Sequence, residues 1–397
     1  RIGQDGMSDA EWAEVTQAAA TARNPFLTQE SRVMGGFGLV VMEEGADNPN
    51  PLLKRAVTVR TGVATGHAHP DSLDLQFYAH GLRMLSDLGG RTMGQYGKPS
   101  CMTSYVHNVV QVDDDDFTGG PRNSTGAAWL NAFWPAPGAQ FTLASARSEA
   151  QPQVSLYRRG VALIGVSDGA DGKPADAYVF DFFRVSGGKV HTWCFKGCPP
   201  DEFTVNSPLA AAKSETAQKY LKVHRAGSQL EGTATGDMEA TWRLRRAEER
   251  VKPREKEITL FNVEQRMLGK DYSAASPRKF TRVNLFGHDG DKLMAGNWYC
   301  DEFKGREFDW PLLYVRREGK SDTAWPAIIQ AYAGEPPITS MRSLTVPAGA
   351  AFEVKTRNGF TDVLYQGVSA DAVTLDGGAR ASGEFAFLRR DAAGLCA

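Results

Sequence analysis

The chain has 397 residues with 45 Lys plus Arg against 47 Asp plus Glu, long enough for two or three domains and a sizeable core. A balance this near to neutral gives no electrostatic case for a nucleic-acid or anionic-membrane partner. No stretch approaches the roughly 18 apolar residues that a membrane-spanning helix needs, and the first residues lack a charged-then-apolar leader.

Beginning at Arg1, the chain reads as a processed product or a fragment, so the lack of a leader leaves export open. Cys101, Cys194, Cys198, Cys300 and Cys396 form an odd set, too sparse for a disulfide scaffold. Cys194 and Cys198 have the spacing of half a zinc site, yet no second pair of matching spacing follows; a bridge or two buried thiols is the plainer reading.

Taken in order, residues 8–23 open with Ser8 and Glu11 in capping-box spacing before an Ala-rich run, which predicts a helix. After Asn24-Pro25 the texture becomes β: Gly35 to Met42 and Ala56 to Arg60 are short apolar or β-branched runs. Leu73, Leu75, Phe77 and Ala79 alternate with Asp74, Gln76, Tyr78 and His80, the pattern of a strand with one buried face. His80-Gly81 offers a turn, and Arg83 to Leu88 the returning strand.

Further strands are expected at 105–112, 141–146, 154–166, 177–185 and 189–195, with Gly-containing turns between several of them. Residues 207–224 break the rhythm and read as loop plus helix. Short strands then resume at 240–246, 257–263, 282–286, 312–317, 327–331, 343–346, 351–356, 362–367 and 384–389. So many short strands with so little helix imply stacked antiparallel sheets rather than alternating β/α units. The charged run from Arg243 to Lys256 reads as a solvated face or the wall of an acidic-sugar groove.

Chemistry concentrates between Gly66 and Gly81, where three of the seven histidines, His67, His69 and His80, sit beside Asp71 and Asp74. A His-x-His on a strand puts two imidazoles on one face; with a carboxylate and a third His they can hold zinc. Asp87 and His107 are the candidates to join His69 and His67, and the competing reading is hydrogen-bonded structural histidines in a polar cleft. If His80-Gly81 makes a tight hairpin, Asp87 falls opposite Asp74 and His69 is on the order of 17 Å too far along the strand. The pairing then needs a bulge, a folded-back entry loop or a longer turn.

Three other features have plainer explanations. Asp113 to Asp116 suggests calcium, but consecutive carboxylates on an extended chain point to opposite faces, which reads as a solvated loop. Trp129, Phe133, Trp134, Trp193, Trp298, Trp310 and Trp325 can stack on sugar rings, although an aromatic in a β protein usually belongs to the core. His191 and His288 read as structural. No nucleophile elbow, P-loop or dinucleotide fingerprint is present.

The stretch GHAHPDSLDLQFYAHGLRMLSDLG from Gly66 to Gly89, followed by Tyr105 to Asp113, resembles the heparinase II/III-like polysaccharide lyases, which include alginate and oligoalginate lyases. Asp181 to His191 and Ser276 to Lys279 support the likeness, which runs from about Arg32 to about Pro337. It implies an α/α toroid followed by a large antiparallel β-sandwich, and cleavage of a uronic-acid polysaccharide by β-elimination. This chain matches the β-rich half. The implied division is a toroid remnant at 1–30, the sandwich at 31–340 and C-terminal strands at 341–397 that join it or form a small accessory sheet.

Residue by residue, the resemblance makes His67 the active-site histidine facing the sugar and His69, Asp87 and His107 the ligands of a structural zinc. Tyr96 corresponds to a tyrosine at the substrate, and Tyr105 and Asn108 lie where substrate contacts are expected. It also implies an acidic polysaccharide or oligosaccharide substrate, an upstream toroid as a further domain or separate chain, and export to the periplasm or medium of a bacterium. Two other classes remain open: a noncatalytic carbohydrate-binding or scaffold sandwich, and a cupin-like metalloenzyme using His67, His69 and His107 with a redox metal.

Overall fold

A computed structural model describes Ser8, Ala10, Glu14 and residues 30–45, 53–63, 69–87, 93–94, 103–116, 126–167, 176–197, 201–244, 277–302, 306–369, 371–375, 378, 380–391 and 394–395. Most of the helix expected at 8–23, the strand expected at 257–263 and the charged run beyond Leu244 lie outside the described residues. What is described is mainly β, and every strand pair in its sheets is antiparallel.

The backbone of the molecule is a nine-stranded sheet in the order Asp201–Val205, Met238–Leu244, Lys279–Leu285, Asp322–Ala333, Asp176–Ser186, Leu156–Ser167, Ala139–Ser148, Gly126–Trp134 and Gly62–Val63. Side chains alternate across it. Val161, Val179, Phe183 and Trp325 point to the inner face and form one core with the other two large sheets. Those are a five-stranded sheet built from Arg32–Met34, Leu39–Glu44, Arg55–Arg60, Leu75–Ala79 and Leu82–Leu85, and a seven-stranded sheet that includes Val110–Val112, Val190–Lys196, Lys292–Glu302 and Arg306–Glu318.

On the outer face of the nine-stranded sheet, Phe141, Ala162, Phe180 and Ile328 pack against Phe352, Val354 and Leu364 of a separate five-stranded sheet spanning Ile338–Leu395. This last sheet begins at Ile338–Leu344. The outer face of the seven-stranded sheet is covered by the short helix Glu215–Tyr220, capped by Ser214, together with Val106. Residues 207–224 are therefore loop plus helix, as their sequence implies.

Two expectations change in detail. Residues 105–112 are not one strand: Ser104–Val106 is a 3-10 turn and the strand is only Val110–Val112. The aspartates at 113–116 are not a merely solvated loop. Asp113 accepts the amides of Lys189 and Val190 at 2.7 and 3.0 Å, Asp114 pairs with Arg316, and Asp116 accepts from the Ser104 amide at 2.6 Å. Their charge is spent on fastening the chain. Of the seven aromatics singled out above, Trp193, Trp298, Trp310 and Trp325 are core residues, whereas Trp129 and Trp134 are 46% and 66% exposed.

Candidate metal centre

The hairpin after Leu75–Ala79 is a two-residue turn with both central residues in the left-handed region, His80 at φ 56° and Gly81 at φ 71°, the backbone that matches the twist of the flanking strands. Ala79 pairs with Leu82 and Tyr78 with Arg83, and then the register slips so that Phe77 faces Leu85. This bulge displaces the return strand by one residue. At the other end Leu73 adopts φ 65°, its amide donates to the Arg60 carbonyl and the Asp74 amide to the Asp71 carbonyl, at 2.9 and 2.8 Å. The entry folds back on itself.

Those two irregularities remove the 17 Å objection raised by an ideal hairpin. His69 is not strand-borne, as its alternation suggested, but lies in the folded-back loop before the strand. Its Nδ1 sits 3.0 Å from Asp87 Oδ2, and His107 Nδ1 is 3.5 Å from Asp87 Oδ1. The two imidazole centroids are 5.3 Å apart, and one donor atom from each of the three residues falls within 4.8 Å of the others.

Each ligand loop is fixed from behind. Arg159, buried in the nine-stranded sheet, makes a two-pronged ion pair to Asp181 with both contacts at 2.7 Å. Its remaining arm donates to the carbonyls of Leu73 at 2.7 Å and Asn108 at 2.5 Å, tying the His69 and His107 loops to one guanidinium. Asn108 itself donates to the Leu75 carbonyl at 2.9 Å through its amide and accepts from the Lys196 backbone at 3.1 Å, while its own backbone N–H donates to Asp74 at 2.7 Å. It is 1% exposed. This corrects the expectation of a substrate contact at Asn108: the side chain is consumed in holding backbone, next to His107.

Asp87 supplies the anionic donor of the set. Burial disfavours the Asp87 carboxylate, but the pull of His107 and His69, with Lys196 beyond, outweighs it and holds the carboxyl well below its usual range. Asp87 Oδ1 is buried and accepts no hydrogen bond among the described residues, the position in which an anionic ligand atom gains most from a metal. The donor atoms of His69, Asp87 and His107 lie within 4.8 Å of one another, close enough to share one ion. Two imidazoles and a carboxylate are an ordinary zinc donor set, so the residues present fit the metal. Asp71 differs: burial, with repulsion from Asp74 and Asp87, lifts it to about 6 against the pull of His107 and Arg60.

Other predicted residues fall as follows. His67 and Tyr96 lie outside the described residues. Tyr105 is half-buried, edge-on to Trp298 at 5.4 Å, and lines a cavity of about 260 Å³ with Gln111, Lys219, Tyr220, Lys222 and Arg316. His191 and His288 are structural, bonded to Thr323 and Asp291 at 2.7 and 2.8 Å. Cys194 is a buried free thiol, so among the described residues the Cys194 half-site has no metal partner; Cys198 lies outside them. Arg159 carried no signal in sequence, being one of two adjacent arginines on a strand.

Among solved structures the chain is similar to heparinase III, the BT4657 gene product, with a TM-score of 0.52 and 11% identity over 96% of this chain and 47% of that one. The chain has a heparinase III fold. It spans just under half the length of that heparinase. Heparan sulfate lyase HepC from Pedobacter heparinus aligns over 94% of this chain and 46% of its own at 11% identity, with a TM-score of 0.47. No family model and no curated protein matches the chain. The heparinase III fold is thus legible in the architecture while hardly a residue in ten is shared, and among the described helices none is long and apolar enough to cross a membrane.

Proposed function

We propose that this chain is the β-rich part of a polysaccharide lyase that cleaves a uronic-acid-containing glycan by β-elimination. The observation that carries the reading is the convergence of His69, Asp87 and His107 on the loop that follows directly from His67, within a heparinase III fold. Elimination requires neutralisation of the uronate carboxylate, a base for the adjacent proton and an acid for the leaving glycosidic oxygen. His67 and Tyr96 are the residues assigned to that work, with Tyr105 contacting the substrate.

His69, Asp87 and His107 would hold a zinc whose contribution is a fixed positive charge that locks their loops together. The protein's own part is then positional. Arg159 and Asn108 aim the His107 segment, and the Asp71-to-Asp74 turn aims the segment that carries His69. The cavity beside Tyr105 supports the substrate reading, because Lys219 and Lys222 at its rim are exposed cations suited to a sugar acid. An upstream α/α toroid and export from a bacterium complete the proposal.

The test is ultraviolet absorbance of the unsaturated product with alginate, heparan sulfate, hyaluronan and chondroitin, using the chain alone and joined to its upstream toroid. A rise with one substrate that disappears in His67→Ala supports the lyase. No rise with any of them in either form contradicts it and leaves glycan binding without cleavage.

A further inference from the structure

The outer face of the nine-stranded sheet is only partly covered. The C-terminal sheet covers Gly160, where an added Cβ would meet the Gln366 side chain, and Glu384 at its rim reaches Arg158. The next row across the sheet is exposed at its two ends, half-buried at Arg158 and Arg184 and buried at Ser145. In direct register it runs Trp129, Ser145, Arg158, Arg184 and Ala324, one residue from each of five neighbouring strands.

This row is chemically unusual. Trp129 is 46% exposed and Ala324 is exposed at the other end. Between them Arg158 and Arg184 are directly opposed across one strand pair, an arrangement that like charges make unfavourable. Arg158 pairs with Glu384 at 3.2 Å on the rim of the C-terminal sheet, and Glu384 and Asp322 both attract Arg184 without touching it. Arg184 forms no ion pair or hydrogen bond among the described residues, and Asp322 lies one row away beside Ser186. Exposed Arg147 stands in that same neighbouring row, opposite Ala127. Close to Trp129, Ser145 Oγ donates to the exposed Asn131 at 2.6 Å.

We infer that this row is a second, noncatalytic binding site for an acidic oligosaccharide. The indole of Trp129 offers a flat apolar face for a pyranose ring. The guanidiniums of Arg158 and Arg184, two and three strand spacings or about 10 and 14 Å away, offer planar two-pronged donors to a carboxylate or sulfate. A bound anion adds to the partial neutralisation that Glu384 and Asp322 already give the pair. The surface lies on the opposite side of the sheet from Arg159 and the metal ligands, so it extends the reach of the protein along a glycan without taking part in its cleavage. Only the choice of a sugar acid as ligand rests on the lyase reading.

The experiment is isothermal titration calorimetry of the full chain carrying His67→Ala, which prevents turnover. The probes are an alginate hexasaccharide, a heparan sulfate hexasaccharide, neutral maltohexaose and a dT12 oligonucleotide. At least one acidic hexasaccharide binds, Arg184→Ala and Trp129→Ala each weaken that binding at least about tenfold, and Trp129→Tyr and Arg184→Lys lose less. The two acidic probes tell carboxylate from sulfate. Lack of binding by both acidic hexasaccharides overturns the inference. So does an equal affinity for maltohexaose, a tighter grip on the oligonucleotide, or Arg184→Ala and Trp129→Ala variants that melt and bind as the parent does.

Discussion

Arg159 is the residue on which the candidate site turns, although it touches no substrate. Its charge is buried with Asp181, and two backbone carbonyls from different loops complete its shell. Removing one partner of such a pair leaves the other uncompensated, at a cost of about 3–5 kcal/mol. Arg159→Met and Asp181→Leu should each show that loss in urea unfolding. The double variant should recover most of the stability, because an apolar pair of similar volume replaces both charges. It should not recover zinc affinity, since Leu73 and Asn108 are no longer held. A double variant with wild-type zinc affinity would show that Arg159 does not position the ligands.

At the same scale the sequence was uneven. His69, Asp87 and His107 were visible as residue types at suggestive positions, whereas Asn108 looked like a substrate contact because a polar residue beside a candidate ligand reads the same whether it faces sugar or backbone. Burial separates the two cases, and burial at 1% came from strands far away in sequence.

Among the elements, the two features that bring His69 back to Asp87 are a bulge and a left-handed leucine. Neither has a composition signal, which is why the His-x-His spacing reads as strand-borne and the bulge or folded-back loop can be required but not located. Long apolar or alternating runs such as Leu156–Ser167 and Asp322–Ala333 were legible. Gly126–Trp134 and Lys292–Glu302 were not, since small and polar residues interrupt their period.

Glycines give a graded test of this part. Gly319 at φ 71° has nothing within 4 Å of an added Cβ, so only its backbone conformation counts and Gly319→Ala should cost about 1–2 kcal/mol. Gly38 has φ 62° and an added Cβ there would lie 1.9 Å from the Thr61 carbonyl oxygen, which is backbone and cannot turn aside. Gly38→Ala should cost at least about 3 kcal/mol. Denaturant midpoints with unchanged slopes measure both, and an equal cost would mean that the contact at Thr61 yields freely.

For the whole molecule, the buried histidines set the response to acid. Burial pushes His80, His191, His224 and His288 below their usual value, His224 to about 3. Below about pH 6.5 the unfolded chain takes up protons that these folded sites refuse. Their stabilisation is therefore full above that pH and is lost as pH falls toward the folded values. Asp71 works the other way: lifted to about 6, it keeps a proton that the unfolded chain releases, a contribution present in acid and lost as pH rises through about 6. Burial raises Glu44 and Asp116 as well, and four histidines against three carboxyls give a net loss on going from pH 7.5 to pH 5. His224→Gln should shallow that slope by about 1.4 kcal/mol per pH unit, and a stability that is flat over this range in the parent would contradict the assignment.

The sandwich architecture itself was readable from the frequency of short strands and turns, while the docking of Ile338–Leu395 onto the outer face depended on contacts no local pattern encodes. What joins architecture to function is the claim that three residues from three loops are one metal centre. Elemental analysis of the purified chain after exposure to zinc tests it most directly, alongside His107→Ala and Asp87→Ala. The account predicts stoichiometric zinc in the parent, lost in both variants, with a lowered melting temperature when a chelator strips the parent. A parent that holds no zinc, or variants that hold as much as the parent, would contradict it.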